Sequence, residues 1–189
     1  IKASFINKNF VIRPNYDYAI SKIKNKYRNH KKIRVGFLVS EKSKWNGEIL
    51  YDLFKKNDNF EPVILVTLYN TRHLKKDFTK TSIEENCNFF LKSGKKVLKV
   101  YDELREKYND LKDFDIDILF YQQPWGIESP QTTDEVSKYA LCCYYSYGIS
   151  VFDCPADLRP FHEKLFIYFI SDLETKEQLY KYKNNKFDN

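Results

Sequence analysis

Short apolar runs rich in β-branched and aromatic residues alternate along the chain with stretches whose apolar positions recur every three or four residues. The runs at 33–39, 62–68, 97–101, 116–121, 140–147 and 165–170 are too continuously apolar for a half-solvated face, so they predict strands buried on both sides. Between the first two, Ile49, Leu50, Leu53 and Phe54 share one face of a predicted helix, with Asn46 placed to cap it. Ile83, Cys87, Phe90 and Leu91 share a face of the next helix. Ser82 and Glu85 have capping-box spacing at its start and Gly94 stands at its end, which leaves 69–81 as a polar, lysine-rich loop. The charged segment 102–114 predicts a further helix through Arg105 and Tyr108, and Thr133 or Asp134 starts a short one through Val136 and Tyr139. Pro155 and Pro160 mark a loop or short helix, and Ser171 with Glu174 opens a last helix that runs to about Tyr182. Alternation of this kind predicts an α/β, Rossmann-like domain: a parallel sheet with helices on both faces and right-handed crossovers.

Ahead of the first strand, 1–32 reads as a basic helical prelude. Tyr16, Ile20, Ile23 and Tyr27 recur at helical spacing, while Lys22, Lys24, Lys26 and Arg28 crowd the other side and Lys31, Lys32 and Arg34 follow. Two readings stand: a helix drawn to a membrane surface by anionic headgroups, or a solvated helix packed on the domain that begins at 33. That domain is expected to run to 183, with 184–189 as a patternless tail.

Composition narrows the class without choosing a partner. A length of 189 residues suits one well-buried domain, and a net charge of +6 suits phosphate-bearing ligands, anionic lipid or nucleic acid. No RNP, KH or helix-turn-helix pattern accompanies the basic residues, so a nucleic-acid partner is not expected. Cys87, Cys142, Cys143 and Cys154 form no CxxC pair and have no histidine at zinc spacing; they read as reduced core thiols in a cytoplasmic protein, with no metal and no cofactor expected. No apolar run approaches the roughly 20 residues of a membrane span, and no signal peptide opens the chain. A chain that begins at Ile1 and contains no methionine reads as a fragment or a processed chain.

Candidate chemistry gathers where the strand at 116–121 breaks into Gln122, Gln123, Pro124, Trp125 and Gly126. In open parallel sheets, ligands bind in the crevice beyond the carboxyl ends of the strands, and these residues offer donors, acceptors and a stacking face there. An ordinary Pro-Gly surface turn explains the same residues equally well. The loop after the first strand occupies the position of a phosphate loop but lacks the glycines of GxGxxG and of the P-loop, so it supports neither cradle. Ser40, Lys42 and Trp45 remain as candidate contacts in it. Of the three histidines, His30 reads as solvent-exposed and His73 as a loop residue with or without an anion. His162, after Pro160-Phe161, is either a crevice group or an imidazole bonded to backbone. Asp115 and Asp117 need not converge on a metal, and Ser146 lies in no GxSxG elbow.

Ser40-Glu41-Lys42-Ser43-Lys44-Trp45-Asn46 with Leu50-Tyr51-Asp52-Leu53, then Glu84-Glu85-Asn86 with Asn88-Phe89-Phe90, then 120–126, resemble in this order the N-terminal half of CDP-glycerol glycerophosphotransferase-like proteins. Tyr147-Gly148 and Pro160-Phe161-His162 are similar to later landmarks of that half, so Tyr147, Gly148 and His162 join the candidate substrate contacts. The resemblance spans about 33–182. It implies a GT-B architecture of two Rossmann-like domains facing across a cleft, and transfer of a polyol phosphate from a CDP-activated donor, with CMP leaving. The acceptor would be a lipid-linked or polymeric phosphorylated glycan such as teichoic acid or capsule, at the inner face of a bacterial cell membrane. The family's donor site and catalytic histidines lie mostly in a C-terminal domain beyond the stretch resembled here, so no catalytic residue is assigned in this chain. Two alternatives stay open: a GT-B half that uses a nucleotide sugar, and a non-catalytic α/β module that binds an anionic polymer.

Overall fold

A computed structural model describes residues 14–68, 76–123, 125–148 and 159–169, with side chains placed except at 76–81 and 159–160. The elements in chain order are α1 (Asp17–Arg28), β1 (Ile33–Val39), α2 (Glu48–Lys55), β2 (Phe60–Val66), α3 (Lys76–Lys92), β3 (Val97–Lys99), β4 (Tyr101–Asp102), β5 (Lys107–Tyr108), β6 (Ile118–Tyr121), α4 (Thr133–Val136), β7 (Leu141–Tyr145), α5 (Arg159–Glu163) and β8 (Ile167–Phe169). Six strands form a parallel sheet in the order β3-β2-β1-β6-β7-β8. The expected α/β, Rossmann-like class is therefore the observed one. The chain builds outward from β1 to β3, crosses back, and builds outward again from β6 to β8. The reversal lies between β1 and β6, where Leu38 pairs with Tyr121, and in such sheets the crevice opens at the carboxyl ends of those two strands.

Successive side chains of a strand point to opposite faces, so the continuous apolar runs feed two separate cores. On one face Val35, Phe37, Val39, Ile64, Val66, Phe120 and Cys143 pack against Tyr51 of α2 and Ile83, Cys87 and Phe90 of α3. On the other, Leu38, Leu65, Leu119, Tyr121, Cys142 and Tyr144 pack with Leu111, Val136 of α4, Phe161 of α5 and Tyr16. Cys87, Cys142 and Cys143 are unpaired and buried, and burial pushes the thiols of Cys142 and Cys143 up to about 12. They behave as core groups, as their sequence setting indicates.

Three local expectations are corrected. The segment 102–114 holds no α-helix: β4 and β5 form a hairpin with Tyr101 against Tyr108, followed by a 3-10 turn at Leu111–Phe114. The cause is Asp102, whose carboxylate accepts from the backbone N–H groups of Leu104 and Arg105 and so closes a turn, with Glu106 in the left-handed region. Ser82 is no N-cap, because α3 is already helical at Lys76; the polar run 76–81 contains neither glycine nor proline, and charge alone does not break a helix. Asn46 does not cap α2 either. Gly47 holds that position without a side-chain bond, and the amide of Asn46 is used elsewhere. The first 13 residues of the predicted prelude, the loop at 69–75 with His73, Pro124, Cys154, Pro155, the expected 171–182 helix and the tail lie outside the described residues.

Helix α1 lies along the amino-terminal ends of the strands. Tyr16 donates to the carbonyl of Lys164 at 2.5 Å just before β8, and Lys22 donates to the carbonyl of Ile116 at 3.2 Å just before β6. Lys22 and Lys26, one helical turn apart, each meet both Asp115 and Asp117 at 2.6–3.0 Å. Asp117 is fully buried and also accepts from the backbone N–H of Arg34 at 2.8 Å. Half of the basic face of α1 is thus consumed in docking the helix, which the lysine count alone does not reveal.

Candidate functional site

Three loops converge beyond the carboxyl ends of β1, β6 and β7. The β1 loop turns through a 3-10 element at Lys42–Lys44 and reaches Asn46, whose amide donates to the carbonyl of Ser146 at 3.0 Å, after β7. Gln122, the first residue past β6, is 3% exposed and lies between these loops: its amide donates to the Tyr145 hydroxyl and stands 3.5 Å from the Asn46 side-chain oxygen. Its carbonyl receives the Tyr147 N–H at 3.4 Å. Burial raises the Tyr145 phenol, with the Gln122 bond acting against it, so the hydroxyl stays neutral and serves as the acceptor of that bond. A Cβ on Gly47 would stand 2.2 Å from this hydroxyl and 2.8 Å from the Trp45 ring, so only glycine lets the α2 start approach so closely.

The β1 loop is tied to α3 by Asn86, which is buried. Its amide donates to the Ser40 carbonyl at 2.7 Å and its oxygen accepts from the Lys42 N–H at 2.8 Å. Ser40 is thereby fixed at the rim, 7% exposed. The ammonium of Lys42 meets Glu85 at 3.1 Å, both side chains being about half exposed, and it remains at the surface. Trp45 belongs to the fold: its ring packs edge-on against Phe37, Tyr51 and Phe90, and its indole N–H donates to Glu48 at 2.7 Å. The carboxylate of Glu48 is lowered by hydrogen bonds from Lys95 and Trp45.

At the mouth, Trp125 is 47% exposed and meets Tyr147 edge-to-face at 6.0 Å. Lys44 stands 5.6 Å over the Tyr147 ring while pairing with Glu41. Gln123 is buried and turns back on its own loop, donating to the Trp125 carbonyl at 3.3 Å, so it shapes the loop that carries the indole. Gly148 is exposed with open space at its Cβ position, and its backbone is closed on the Ser146 hydroxyl. His162 stands apart. Its ring stacks on Tyr168 at 5.2 Å and meets Tyr144 and Phe161 edge-on, on the face of the sheet opposite Gln122, Tyr145 and Trp45. The structure therefore brings Gln122, Gln123, Trp125, Tyr147 and Gly148 together in the loops after β6 and β7, ties Ser40 and Lys42 of the β1 loop to α3, and leaves Trp45 and His162 in packing roles.

Sequence reading missed Asn46, Lys44, Tyr145 and Asn86 as parts of this arrangement. The sequence signal for Asn46 and Gly47 is a helix start with no serine or threonine to cap it, a pattern that an asparagine cap explains as well. For Asn86 there is only its place in a helix and in the Glu84-Glu85-Asn86 stretch, and neither points to these bonds, because its partners are 46 and 44 residues away. Among the described residues, no cluster of histidine, cysteine, aspartate and glutamate could hold a metal ion. Gln122 and Gln123 are buried and donate to Tyr145 and Trp125, so what these loops turn to solvent is the Trp125 indole, the Tyr147 phenol, the Asn46 side chain, and Lys42 and Lys44 with their carboxylate partners, a set suited to a hydroxylated ligand that stacks. Comparison of the chain with family models, curated proteins and solved structures found no match.

Proposed function

We propose that this chain is the acceptor-side domain of a transferase that moves glycerol phosphate, or a related polyol phosphate, from a CDP-activated donor to a cell-surface polymer. The observation that supports this reading is the crevice at the β1/β6 reversal, where Gln122, Asn46 and Tyr145 form a bonded floor and the exposed Trp125 with the half-buried Tyr147 and Lys44 a mouth. An indole and a phenol at the mouth give a polyol or sugar a face to stack on, and Lys42 and Lys44 of the β1 loop would meet a phosphate by giving up their present partners Glu85 and Glu41. In the proposed reaction an acceptor hydroxyl oxygen forms a bond to the phosphorus that bears the polyol, the phosphorus–oxygen bond to CMP breaks, and the hydroxyl proton passes to a base outside the crevice described here. The contribution of this domain is positioning.

The test is CMP release from CDP-glycerol by the full-length protein, with polymer acceptor varied. Trp125→Ala should raise the acceptor concentration needed for half-saturation about tenfold or more while maximal turnover changes little, the pattern of lost ground-state binding. Unchanged acceptor saturation in both Trp125→Ala and Gln122→Ala would remove the site assignment. Release of nucleotide from a nucleotide sugar and none from CDP-polyols would favour a glycosyltransferase half.

A further inference from the structure

The basic charge of α1 divides into two sets. Lys22 and Lys26 turn inward onto Asp115 and Asp117, whereas Lys24, Arg28, Lys31 and Lys32 are exposed and have no carboxylate partner among the described residues. Cations in the last turn of a helix are expected for its dipole, and that accounts for Arg28. It does not account for Lys24 a turn earlier, nor for Lys31 and Lys32 beyond the helix end. Tyr18 and Tyr27, 63% and 60% exposed, flank this strip on opposite margins of the helix. The exposed carboxylates nearby are Asp115, which the inward-turned Lys22 and Lys26 hold, Asp17 at the head of α1 and Asp58 in the turn before β2.

We infer that the outward face of α1 and the turn after it form a docking surface for an anionic lipid bilayer, separate from the crevice and independent of what the crevice binds. The strip is the convex back of a helix that lies across the strand ends, with cations along its middle and phenols at its edges. A planar layer of anionic headgroups meets all of these at once, and tyrosine favours the boundary between headgroups and acyl chains. A soluble polyanion would gain the charge but would leave both phenols in water.

The test is co-sedimentation of the full-length protein with vesicles of phosphatidylcholine alone and with phosphatidylglycerol added. Each cation near such a surface strengthens binding about fivefold, so the combined Lys24→Gln, Arg28→Gln, Lys31→Gln, Lys32→Gln variant should lose on the order of a hundredfold or more. Lys42→Gln with Lys44→Gln, at the other end of the sheet, should bind as the unaltered protein does. Tyr18→Ser with Tyr27→Ser should weaken vesicle binding severalfold yet leave binding of soluble polyphosphate unchanged. Titrating the unaltered protein with salt needs no variant and should release it from the anionic vesicles. Equal binding to neutral vesicles, an unaffected quadruple variant, or tyrosine variants that bind vesicles normally would each overturn the proposal, the last in favour of a soluble polyanion.

Discussion

Gly47 and Tyr145 show how a single missing carbon sets the crevice floor. With a Cβ position 2.2 Å from the hydroxyl, Gly47→Ala must push Tyr145 or the start of α2 aside and break the bond from Gln122. Overpacking of this kind costs about 1–3 kcal/mol, measurable by urea unfolding. Tyr145→Phe alone should cost about 1 kcal/mol, since Gln122 loses an acceptor, yet added to Gly47→Ala it should restore part of the loss by removing the clashing oxygen. Additive costs would place the strain on the Trp45 ring instead, the other group within 3 Å of that position. At this scale the position of Gln122 and Trp125 directly beyond β6 is legible in the sequence, because a strand ending in amides and an indole is unusual. Tyr145 was hidden among strand residues, where its phenol looks like one more aromatic of the core.

The elements were legible where an apolar run or a helical period dominated, and illegible where a side chain bonded to local backbone or to distant groups. All six strands of the sheet fall within the predicted runs, with bounds shifted by up to two residues, except that β2 begins at Phe60 ahead of Pro62. Asp102 turned a predicted helix into a hairpin by taking two backbone N–H groups. For α1, sequence gave an amphipathic helix and left its partner open; the partner is the pair Asp115 and Asp117, about ninety residues away. The two carboxylates differ in what they contribute. Asp117→Ala strands the Arg34 N–H and leaves two lysines without their buried counter-charge, so a loss of about 3–5 kcal/mol is expected, whereas Asp115→Ala, at an exposed site, should cost less than about 1 kcal/mol.

The same clamp carries a pH dependence. Burial works to raise Asp115, but hydrogen bonds from Lys26 and Lys22 and their charges outweigh it, so its carboxyl lies below the ordinary aspartate range. Burial likewise works to lower Lys22, and its bonds to Asp117 and Asp115 outweigh that, so its ammonium lies above the ordinary lysine range. A depressed carboxyl contributes in full above the ordinary aspartate range and loses its contribution as pH falls through its own value; a raised ammonium contributes in full below the ordinary lysine range and loses it as pH climbs. The α1 clamp should therefore be flat with pH across neutrality and weaken at both extremes. Urea midpoints of the unaltered protein and of Lys22→Ala with Lys26→Ala, compared across pH, should differ most near neutrality and converge in strong acid.

Across the whole molecule, the outward cations of α1 and of the turn after it lie at the opposite end of the sheet from the crevice. The seven residues of β1 separate them by roughly 23 Å at the usual rise of a strand. If the cationic face rests on a bilayer, the crevice is held about that far from the headgroups, beyond the reach of an acceptor hydroxyl next to its lipid. Taken with the proposed transfer, this geometry predicts a dependence on acceptor length that appears only when the acceptor is anchored. With full-length protein on anionic vesicles, CMP release should be poor for an anchored acceptor of one or two units and should rise once the chain spans the gap. The same acceptors freed from lipid should show no such threshold. Neutralising Lys24, Arg28, Lys31 and Lys32 should lower the rate with long anchored acceptors and leave the soluble ones unaffected. Equal rates for short and long anchored acceptors would mean that the crevice faces the bilayer, and that α1 is not the surface on which the protein rests.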